Sequence, residues 1–175
     1  MRNAQQLLTH YAAYHRDRRN IATHFVGIPL IVFGIGVLLS RPSLGAGPLA
    51  LTPAWLAFVA ATAWYLRRRM LVLGIATSAF VGLLVLAGHQ VGTVGIGGWL
   101  VWGVGSFLLG WVLQFIGHYY EGRKPAFVDD VVGLLVGPMF IVAEWLFMAG
   151  WNKPLQRAIE SQVGPTHLRD IAHPA

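Results

Sequence analysis

Residues 111–126 read WVLQFIGHYYEGRKPA, an apolar run that ends in a charged loop. With about 100° of rotation per helical residue, Gln114, His118 and Glu121 lie within one quadrant of a helix and form a polar stripe at its end. Polar and ionisable side chains at membrane depth are costly, and they usually face the interior of a bundle or a water-filled site. The stretch therefore predicts a membrane-spanning helix that carries a polar site at one end.

The composition of the whole chain agrees with a membrane location. Apolar residues make up 55% of the 175 residues and charged residues only 11%, with a mean hydropathy of +0.57, whereas a soluble domain carries about 25% charge. The net charge of +6 comes from basic residues in short clusters beside apolar runs, a pattern typical of topology signals and headgroup contacts rather than nucleic-acid binding. The absence of cysteine excludes disulfides, thiolate catalysis and cysteine metal sites.

The apolar pattern predicts an all-α fold, a polytopic membrane helical bundle with four to five apolar helices and an N-terminal amphipathic helix. We expect a single integral membrane domain over residues 1–175, with an interfacial amphipathic helix (1–20), membrane helices (21–150) and a polar tail (151–175). Asn20 is the predicted N-cap of the first membrane helix, and the N-terminus lacks the features of a cleavable signal peptide. A short helix is expected in the tail at 153–162. The apolar runs are 21–39, 49–66, 70–88, 99–120 and 127–150.

The distribution of lysine and arginine indicates which helix ends share one side of the membrane. Basic clusters at 2–19, 67–69 and 123–124 are separated by two apolar runs each, so four crossings place all of them on the inner side. The fifth run leaves two alternatives open. If it spans, the basic tail lies outside, against the rule. A re-entrant hairpin broken near Gly137 and Pro138 would return the tail to the inner side, and we favour the hairpin.

This topology gathers histidines at the inner end of the bundle, because His15 and His24 precede or begin the first crossing and His118 ends the fourth. Neutral imidazole and carboxylate are ligands of non-heme Fe(II), and also of zinc or manganese. The three histidines with Glu121 therefore predict a divalent-metal site. Outer partners that fix the orientation of the rings would be Asn20, Gln114 and Asp129.

Simpler interpretations of the same residues stay open. A lone interfacial histidine is more often structural or in contact with headgroups than a metal ligand, and four histidines fit that description: His10, His89, His167 and His173. Glu121 lies in a basic loop, where it can pair with Arg123 or Lys124 instead of a metal. A di-iron hydroxylase would need histidine boxes that this chain lacks, and a transporter would show repeat symmetry. A small lipid-binding or structural membrane protein without catalysis is the main alternative.

Three segments resemble one small membrane family: YHRDRRNIATHFVGIP (14–29), GWVLQFIGHYYEGRKPAFVDD (110–130) and GPMFIVAEWLFMAGW (137–151). The fungal member of this family is an iron-dependent 2-hydroxy fatty acid dioxygenase, and its bacterial members were long known only as a domain of unknown function. The resemblance implies fatty acid alpha-oxidation, in which Fe(II) and molecular oxygen convert a 2-hydroxy fatty acid into the acid one carbon shorter. It implies no need for 2-oxoglutarate or heme.

The resemblance also implies which residues form the site. The family's histidines match three residues here as Fe(II) ligands: His15, His24 and His118. The motif carboxylate matches Glu121. The chain departs from the fungal form at Arg16, where that form has a further histidine, and in the interval from His118 to Pro125, which is one residue shorter here.

We assign the catalytic machinery on this basis to Glu121, Gln114 and Asn20. The 2-hydroxy fatty acid would lie with its acyl tail between the crossings and its head at the inner interface, where basic side chains would steer the carboxylate. These substrate-binding residues are expected to be Arg16, Arg19 and Lys124. Molecular oxygen and membrane lipid are the other expected partners. A bacterial member would lie in the inner membrane with its site on the cytoplasmic side, whereas the fungal form is in the endoplasmic reticulum.

Overall fold

The computed structural model describes residues 2–45, 50–92, 94–125, 128 and 132–171, which form seven helices and no strand. The helices are α1 (Ala4–Ala12), α2 (Arg18–Leu38), α3 (Pro53–Leu66), α4 (Leu71–Gly92), α5 (Gly95–Glu121), α6 (Gly133–Met148) and α7 (Lys153–Val163). The predicted all-α fold is confirmed, and the short helix expected at 153–162 is α7. Asp129 and His173, which the sequence singled out, lie outside the described residues.

Within the described ranges, three helices are long and apolar enough to cross a membrane. They are α2, α4 and α5, with 21, 22 and 27 residues and mean hydropathies of 2.2, 2.3 and 1.7. The apolar α3 has only 14 residues, about 21 Å at 1.5 Å per residue, which is less than the ~30 Å hydrocarbon core. The pair α6 and α7 passes the same test with a bend of 117° between them. Length and composition thus give three spans, or four if the bent pair is one span.

Helices α2 and α5 pack closely because glycines face each other across their contact. A Cβ atom on Gly34 would lie 2.8 Å from the carbonyl oxygen of Gly103, and one on Gly110 would lie 2.7 Å from the carbonyl oxygen of Gly27. Small residues allow two helix backbones to approach in this way. The close pairing brings the histidine-bearing ends of the two helices together.

The boundary between α1 and α2 differs from the prediction. The first helix ends at Ala12 and the second begins at Arg18, so the chain turns at residues 13–17. Asp17 is the N-cap of α2, and its Oδ1 accepts a hydrogen bond from the backbone N–H of Arg19 at 2.8 Å. The prediction that Asn20 is the cap is wrong, because this aspartate, with an extended backbone, ends the turn three residues earlier.

The apolar face of α1 is used inside the protein. Leu7, Leu8 and Tyr11 are buried, and α1 contacts both α6 and α7. We expected this face to lie on the membrane surface. Instead α1 closes the end of the bundle at which α2 begins and α5 ends.

The last apolar helix returns the tail to that same end. α6 is continuous through Pro138, so the predicted break near Gly137 and Pro138 is wrong. This proline lies near the start of the helix, where its missing N–H removes a single hydrogen bond. After α7, the tail reaches the turn between α1 and α2, where His167 O accepts from Arg18 N at 2.9 Å and His167 N donates to Arg16 O at 2.9 Å.

The basic clusters also meet at this end of the bundle. Arg68 donates through Nη1 to the carbonyl oxygen of Arg2 at 3.2 Å, and Arg123 donates through Nη1 to that of Ala13 at 2.7 Å. The clusters at 2–19, 67–69 and 123–124 therefore share one end, as the four-crossing topology predicts. We call this end of the bundle the basic end.

Candidate metal centre

Three imidazoles from distant parts of the chain converge at the basic end. His15 lies in the turn after α1, His24 in the second turn of α2 and His118 in the last turn of α5. Their ring centroids are 4.5, 4.9 and 5.2 Å apart, and one nitrogen from each ring lies within 4.8 Å of the others. All three side chains are buried. The structure thus brings together the three residues that the sequence proposed as ligands.

Backbone carbonyls fix which nitrogen of two rings carries the proton. Nδ1 of His15 lies 2.7 Å from the carbonyl oxygen of Tyr11, and Nδ1 of His24 lies 2.8 Å from that of Asn20. A carbonyl oxygen only accepts hydrogen bonds, so each Nδ1 donates and each Nε2 keeps its lone pair. This is the usual arrangement of a metal-binding histidine, whose other nitrogen is held by a carbonyl or carboxylate.

The two Nε2 atoms face each other in a way that a metal ion would explain. Nε2 of His15 lies 3.0 Å from Nε2 of His24. With both protons committed to the Nδ1 atoms, no hydrogen is left to lie between these two lone pairs. Two nitrogens bound at right angles to one ion, at about 2.1 Å each, would be separated by about 3.0 Å. The donor set therefore fits a divalent metal.

The surroundings keep the imidazoles in their neutral form. Burial lowers the pKa of His15 well below 6.5, and the neighbouring His24 and His118 lower it further. The ring of Tyr11 stacks on His15 with 4.0 Å between centroids and 4° between planes, and Phe140 lies 5.5 Å from the same ring. A neutral imidazole is the form that binds a metal.

The ligand chemistry narrows the choice of metal. Neutral imidazoles suit Fe, Zn, Cu and Ni better than the hard cations Mg²⁺ and Ca²⁺. Within the part of the chain that the structure describes, the metal-spaced group contains His15, His24 and His118 and no carboxylate. Three protein ligands would leave coordination positions of such an ion open for further ligands.

Glu121 lies beside this group but its carboxylate is used elsewhere. Both of its oxygens accept from the backbone N–H of Arg16 at 2.9 Å, and Oε2 also accepts from the backbone N–H of Asp17 at 2.8 Å. The side-chain amide of Asn20 donates to the same Oε2 at 3.0 Å. Glu121 thus contacts the turn between α1 and α2, while the guanidinium of Arg123 donates to a backbone carbonyl.

An apolar cavity of about 220 Å³ opens beside the imidazoles. Its polar end is formed by Tyr11, His24, Gln114 and His118, and the remaining walls are largely apolar side chains of α2, α5 and α6. Gln114 is 5% exposed, and its Nε2 has no hydrogen-bond partner among the described residues. A buried amide donor without a partner costs free energy, so this atom is ready to donate to a ligand.

The predicted substrate-binding cations do not line this cavity. Arg16 donates through Nε to the carbonyl oxygens of Ala12 and His15. Arg19 pairs with Asp17 at 2.7 Å and lies over the ring of Tyr120. The third of these residues, Lys124, is exposed. The two arginines hold the turn and the tail in place, which the sequence pattern did not reveal.

Tyr11 is the site residue that the sequence analysis did not single out. Its ring lines the cavity and stacks on His15, and its carbonyl oxygen fixes the proton of that ring. The available signal was the spacing of four residues between Tyr11 and His15, which places two rings on one helical face.

Comparisons with known proteins show which family the chain belongs to. A family model described as 2-hydroxy-palmitic acid dioxygenase Mpo1-like matches residues 1–149, a range that includes all three histidines. The chain is also 31% identical, over 154 residues, to the 2-hydroxy-palmitic acid dioxygenase MPO1 of Saccharomyces cerevisiae, with 86% of this chain and 83% of the yeast protein covered. No solved structure matches the chain. On these two matches, the chain belongs to the Mpo1-like family.

Proposed function

We propose that this chain is an Fe(II)-dependent dioxygenase that cleaves a 2-hydroxy fatty acid to the fatty acid one carbon shorter at the membrane interface. The observation that carries the proposal is the convergence of three imidazoles, two of which, His24 and His118, line an apolar cavity. Such a place suits a divalent metal and the head of a lipid-like acid together. The name of the yeast relative supplies the substrate class.

The histidines would hold the metal, and their neighbours keep the site dry. His15, His24 and His118 would be the protein ligands. A bound Fe(II) supplies positive charge for the substrate carboxylate and the redox chemistry that activates molecular oxygen. Tyr11 and Phe140 pack on the ring of His15, so they limit the access of water to the site.

The cavity would hold the acyl tail. Ile28, Ile31 and Ile35 follow His24 along the wall that α2 contributes. From His24 to Ile35 the helix advances by about 16 Å at 1.5 Å per residue. A long apolar track that begins at an imidazole matches an acid whose reacting carbons lie at the histidines and whose chain extends into the membrane.

The buried polar groups of the cavity would orient the head of the substrate. No Lys or Arg lies among its described lining residues, so neutral donors remain for the carboxylate and hydroxyl oxygens. The unpaired Nε2 of Gln114 is such a donor. The hydroxyl of Tyr11 is a second candidate, because this side chain lines the same end. We therefore propose Gln114 and Tyr11, instead of Arg16, Arg19 and Lys124, as head-group contacts.

The overall reaction balances without a further oxidant or reductant. The C1–C2 bond of the 2-hydroxy acid breaks, and one oxygen atom of O₂ enters the new carboxyl group at C2. C1 leaves as carbon dioxide with the two oxygens it already carried, and the other oxygen atom of O₂ leaves as water, so R–CH(OH)–COOH and O₂ give R–COOH, CO₂ and H₂O. Four electrons pass from the substrate to one molecule of oxygen, so no co-substrate such as 2-oxoglutarate is required.

We propose that the protein lies in a bacterial inner membrane with the site on the cytoplasmic side. The supporting observation is that the histidines and three basic clusters share one end of the bundle. Basic residues mark the inner side of membrane proteins. An amphiphilic acid in that leaflet already has its head at the depth of the imidazoles.

The experiment combines a product assay with metal analysis. Purified protein, loaded anaerobically with Fe(II), is given air and 2-hydroxy acids of several chain lengths, and the acid one carbon shorter is measured. We expect product from the parental protein and none above background from His24→Ala. His10→Ala is the matched control, because His10 is exposed on α1, and it should keep full activity.

Two results would overturn the proposal. One is the absence of a shortened acid at every chain length, in protein that binds iron. The other is iron content that stays unchanged when each of the three histidines is replaced in turn. Binding of the hydroxy acid without conversion would instead favour a lipid-binding protein.

A further inference from the structure

We propose that Glu121 is a positioning residue. Its carboxylate, carried by the end of α5, holds the turn before α2 so that His15 and His24 direct their Nε2 atoms to one point. The inference rests on the proposed role of the histidines as metal ligands. It assigns Glu121 no direct contact with metal or substrate.

The turn between α1 and α2 carries His15. The backbone N–H groups of Arg16 and Asp17 precede α2 and lie in a buried part of the chain. A buried N–H without an acceptor costs about 1–3 kcal/mol. Glu121 accepts both of them at 2.8–2.9 Å, with the added strength of an ionised acceptor. The carboxylate therefore fixes the backbone next to His15.

Asn20 connects the carboxylate of Glu121 with the ring of His24 through hydrogen bonds. The side-chain Nδ2 of Asn20 donates to Glu121 Oε2 at 3.0 Å and to the carbonyl oxygen of Tyr14 at 3.1 Å. The backbone carbonyl of the same Asn20 accepts from His24 Nδ1 at 2.8 Å. The position of the carboxylate therefore constrains Asn20, which in turn constrains the ring of His24. The hydrogen bond from His24 Nδ1 to the Asn20 carbonyl leaves Nε2 of His24 for a metal.

The carboxylate of Glu121 belongs to α5, the helix that also carries His118. Glu121 follows His118 by three residues in the last turn of this helix, so the turn that delivers the third imidazole also holds the first two. The helices are in close contact here, since a Cβ atom on Gly117 would lie 2.5 Å from Asn20 Oδ1 and 3.2 Å from His24 Nδ1. One helix end therefore determines the relative placement of all three rings.

A competing account gives Glu121 a purely electrostatic role. Arg16 is buried and interacts electrostatically with three carboxylates, those of Glu144, Glu121 and Glu160. Of these three, only Glu121 accepts hydrogen bonds from the turn. Loss of charge near Arg16 would be common to all three positions, whereas loss of the turn contact would be particular to Glu121.

The experiment compares Glu121→Gln with Glu144→Gln and Glu160→Gln. The amide of Glu121→Gln keeps one acceptor oxygen but replaces the other with a donor and removes the charge, so it cannot reproduce all the bonds that both carboxylate oxygens accept. Metal-free protein is titrated anaerobically with Fe(II), and with Co(II) as a spectroscopic probe. We expect the dissociation constant to rise about 10–100-fold in Glu121→Gln, as for other residues that orient metal ligands. The two control variants should remain within about twofold of the parental protein.

A second readout needs no metal. In metal-free protein with ¹⁵N-labelled histidine, the ring nitrogen shifts report the tautomer of His24. We expect a single form with the proton on Nδ1 in the parental protein, and a mixture in Glu121→Gln. If that variant does not fold, Glu121→Asp takes its place, because it keeps the charge but withdraws the oxygens by one methylene. If Glu121 is a positioning residue, Glu121→Asp binds the metal more weakly. If Glu121 acts only through its charge, Glu121→Asp keeps the parental metal affinity.

The outcomes separate this inference from the proposed function. Parental metal affinity and an unchanged tautomer in the Glu121 variants would overturn the inference, as would equal weakening in all three glutamine variants. A parental protein that binds no iron would overturn the proposed function, while the tautomer measurement would still decide the role of Glu121.

Discussion

Among the residues that the structure describes, buried histidines lie in two places, which differ in what surrounds the ring. His89 is buried on α4, where its ring faces Trp55 with 6.0 Å between centroids. At the basic end, His15 is buried against two other imidazoles, with centroids 4.5 and 4.9 Å away. Among the described residues, the second group alone meets the spacing for a metal. Burial of a histidine therefore indicates packing, and it points to a site only where several donors converge.

The hydrogen bonds around the two places differ in the same way. At the end of the bundle opposite the basic end, where α4 ends after His89, Trp99 Nε1 donates to Val37 O at 2.9 Å and Arg41 Nε donates to Gly92 O at 3.2 Å. Each of these bonds ties the end of one helix to a neighbour. At the basic end, Glu121 accepts hydrogen bonds from Arg16 and Asn20, each of which lies more than 100 positions before it in the chain. Hydrogen bonds from one side chain to distant segments hold the parts of a site together. Bonds to carbonyl oxygens at helix ends satisfy those ends.

The largest expected effect separates the two kinds of buried histidine. His118→Ala should lose the bound iron and at least about 100-fold in activity, because one of three ligands is removed. His89→Ala should lower the melting temperature, since it empties a packed position, but should keep its iron. Iron per chain and thermal unfolding of both variants test the difference. Equal loss of iron in both would contradict it.

The next effect concerns the close contact of α5 with α2. Gly117→Ala places a methyl group against Thr23, Asn20 and His24, and overpacking of this kind costs about 1–3 kcal/mol. We expect weaker metal binding together with lower stability. Gly105→Ala on the same helix meets no atom within 4 Å, so it should be neutral or stabilise by up to about 1 kcal/mol. Denaturant unfolding and Co(II) titration compare the pair, and a harmless Gly117→Ala would contradict the geometry.

A smaller effect is expected at the polar end of the cavity. Gln114→Leu removes the buried unpaired amide, so the protein should become slightly more stable while the KM for the hydroxy acid rises about tenfold, the value of one hydrogen bond of ~1.4 kcal/mol. Iron content should not change. Trp99→Phe at the opposite end should leave KM unaltered. A Gln114→Leu variant with parental KM would remove this residue from the head-group contacts.

The smallest effect concerns two cations that lie outside the lining of the cavity. Arg19 is engaged by Asp17 and the tail, and Lys124 lies outside the cavity lining. Arg19→Ala and Lys124→Ala should therefore change KM by less than about twofold, a range typical of surface charges. Steady-state assays at two salt concentrations provide the check. If either substitution raises the KM tenfold, and high salt raises the KM of the parental protein by a similar factor, the steering role predicted from the sequence would be restored.

Hydropathy and charge predicted most of the architecture for physical reasons. Long apolar runs have to be buried in lipid or protein, so the apolar runs of the sequence lie close to helices of the structure. Basic clusters favour one side of a membrane, so their common end could be derived. That common end predicts from the sequence alone that His15, His24 and His118 meet.

The details that the sequence missed depend on tertiary contacts. Asp17 and Asn20 are both good N-caps, and the choice between them is made by Glu121 and by the tail, which accept and donate around the turn. Pro138 suggested a break, but α6 continues because only one hydrogen bond near its start is affected. The hydrogen bonds of Glu121 could not be predicted from charge, because its partners are two backbone N–H groups and the neutral side-chain amide of Asn20.

Metal analysis of anaerobically purified protein is the most direct test of the central claim, that three imidazoles gathered from distant segments bind one divalent ion. We expect one Fe(II) for each chain in the parental protein and none in a His15→Ala variant that still folds. Protein that is folded and active on a 2-hydroxy acid, yet carries no stoichiometric metal, would contradict the account.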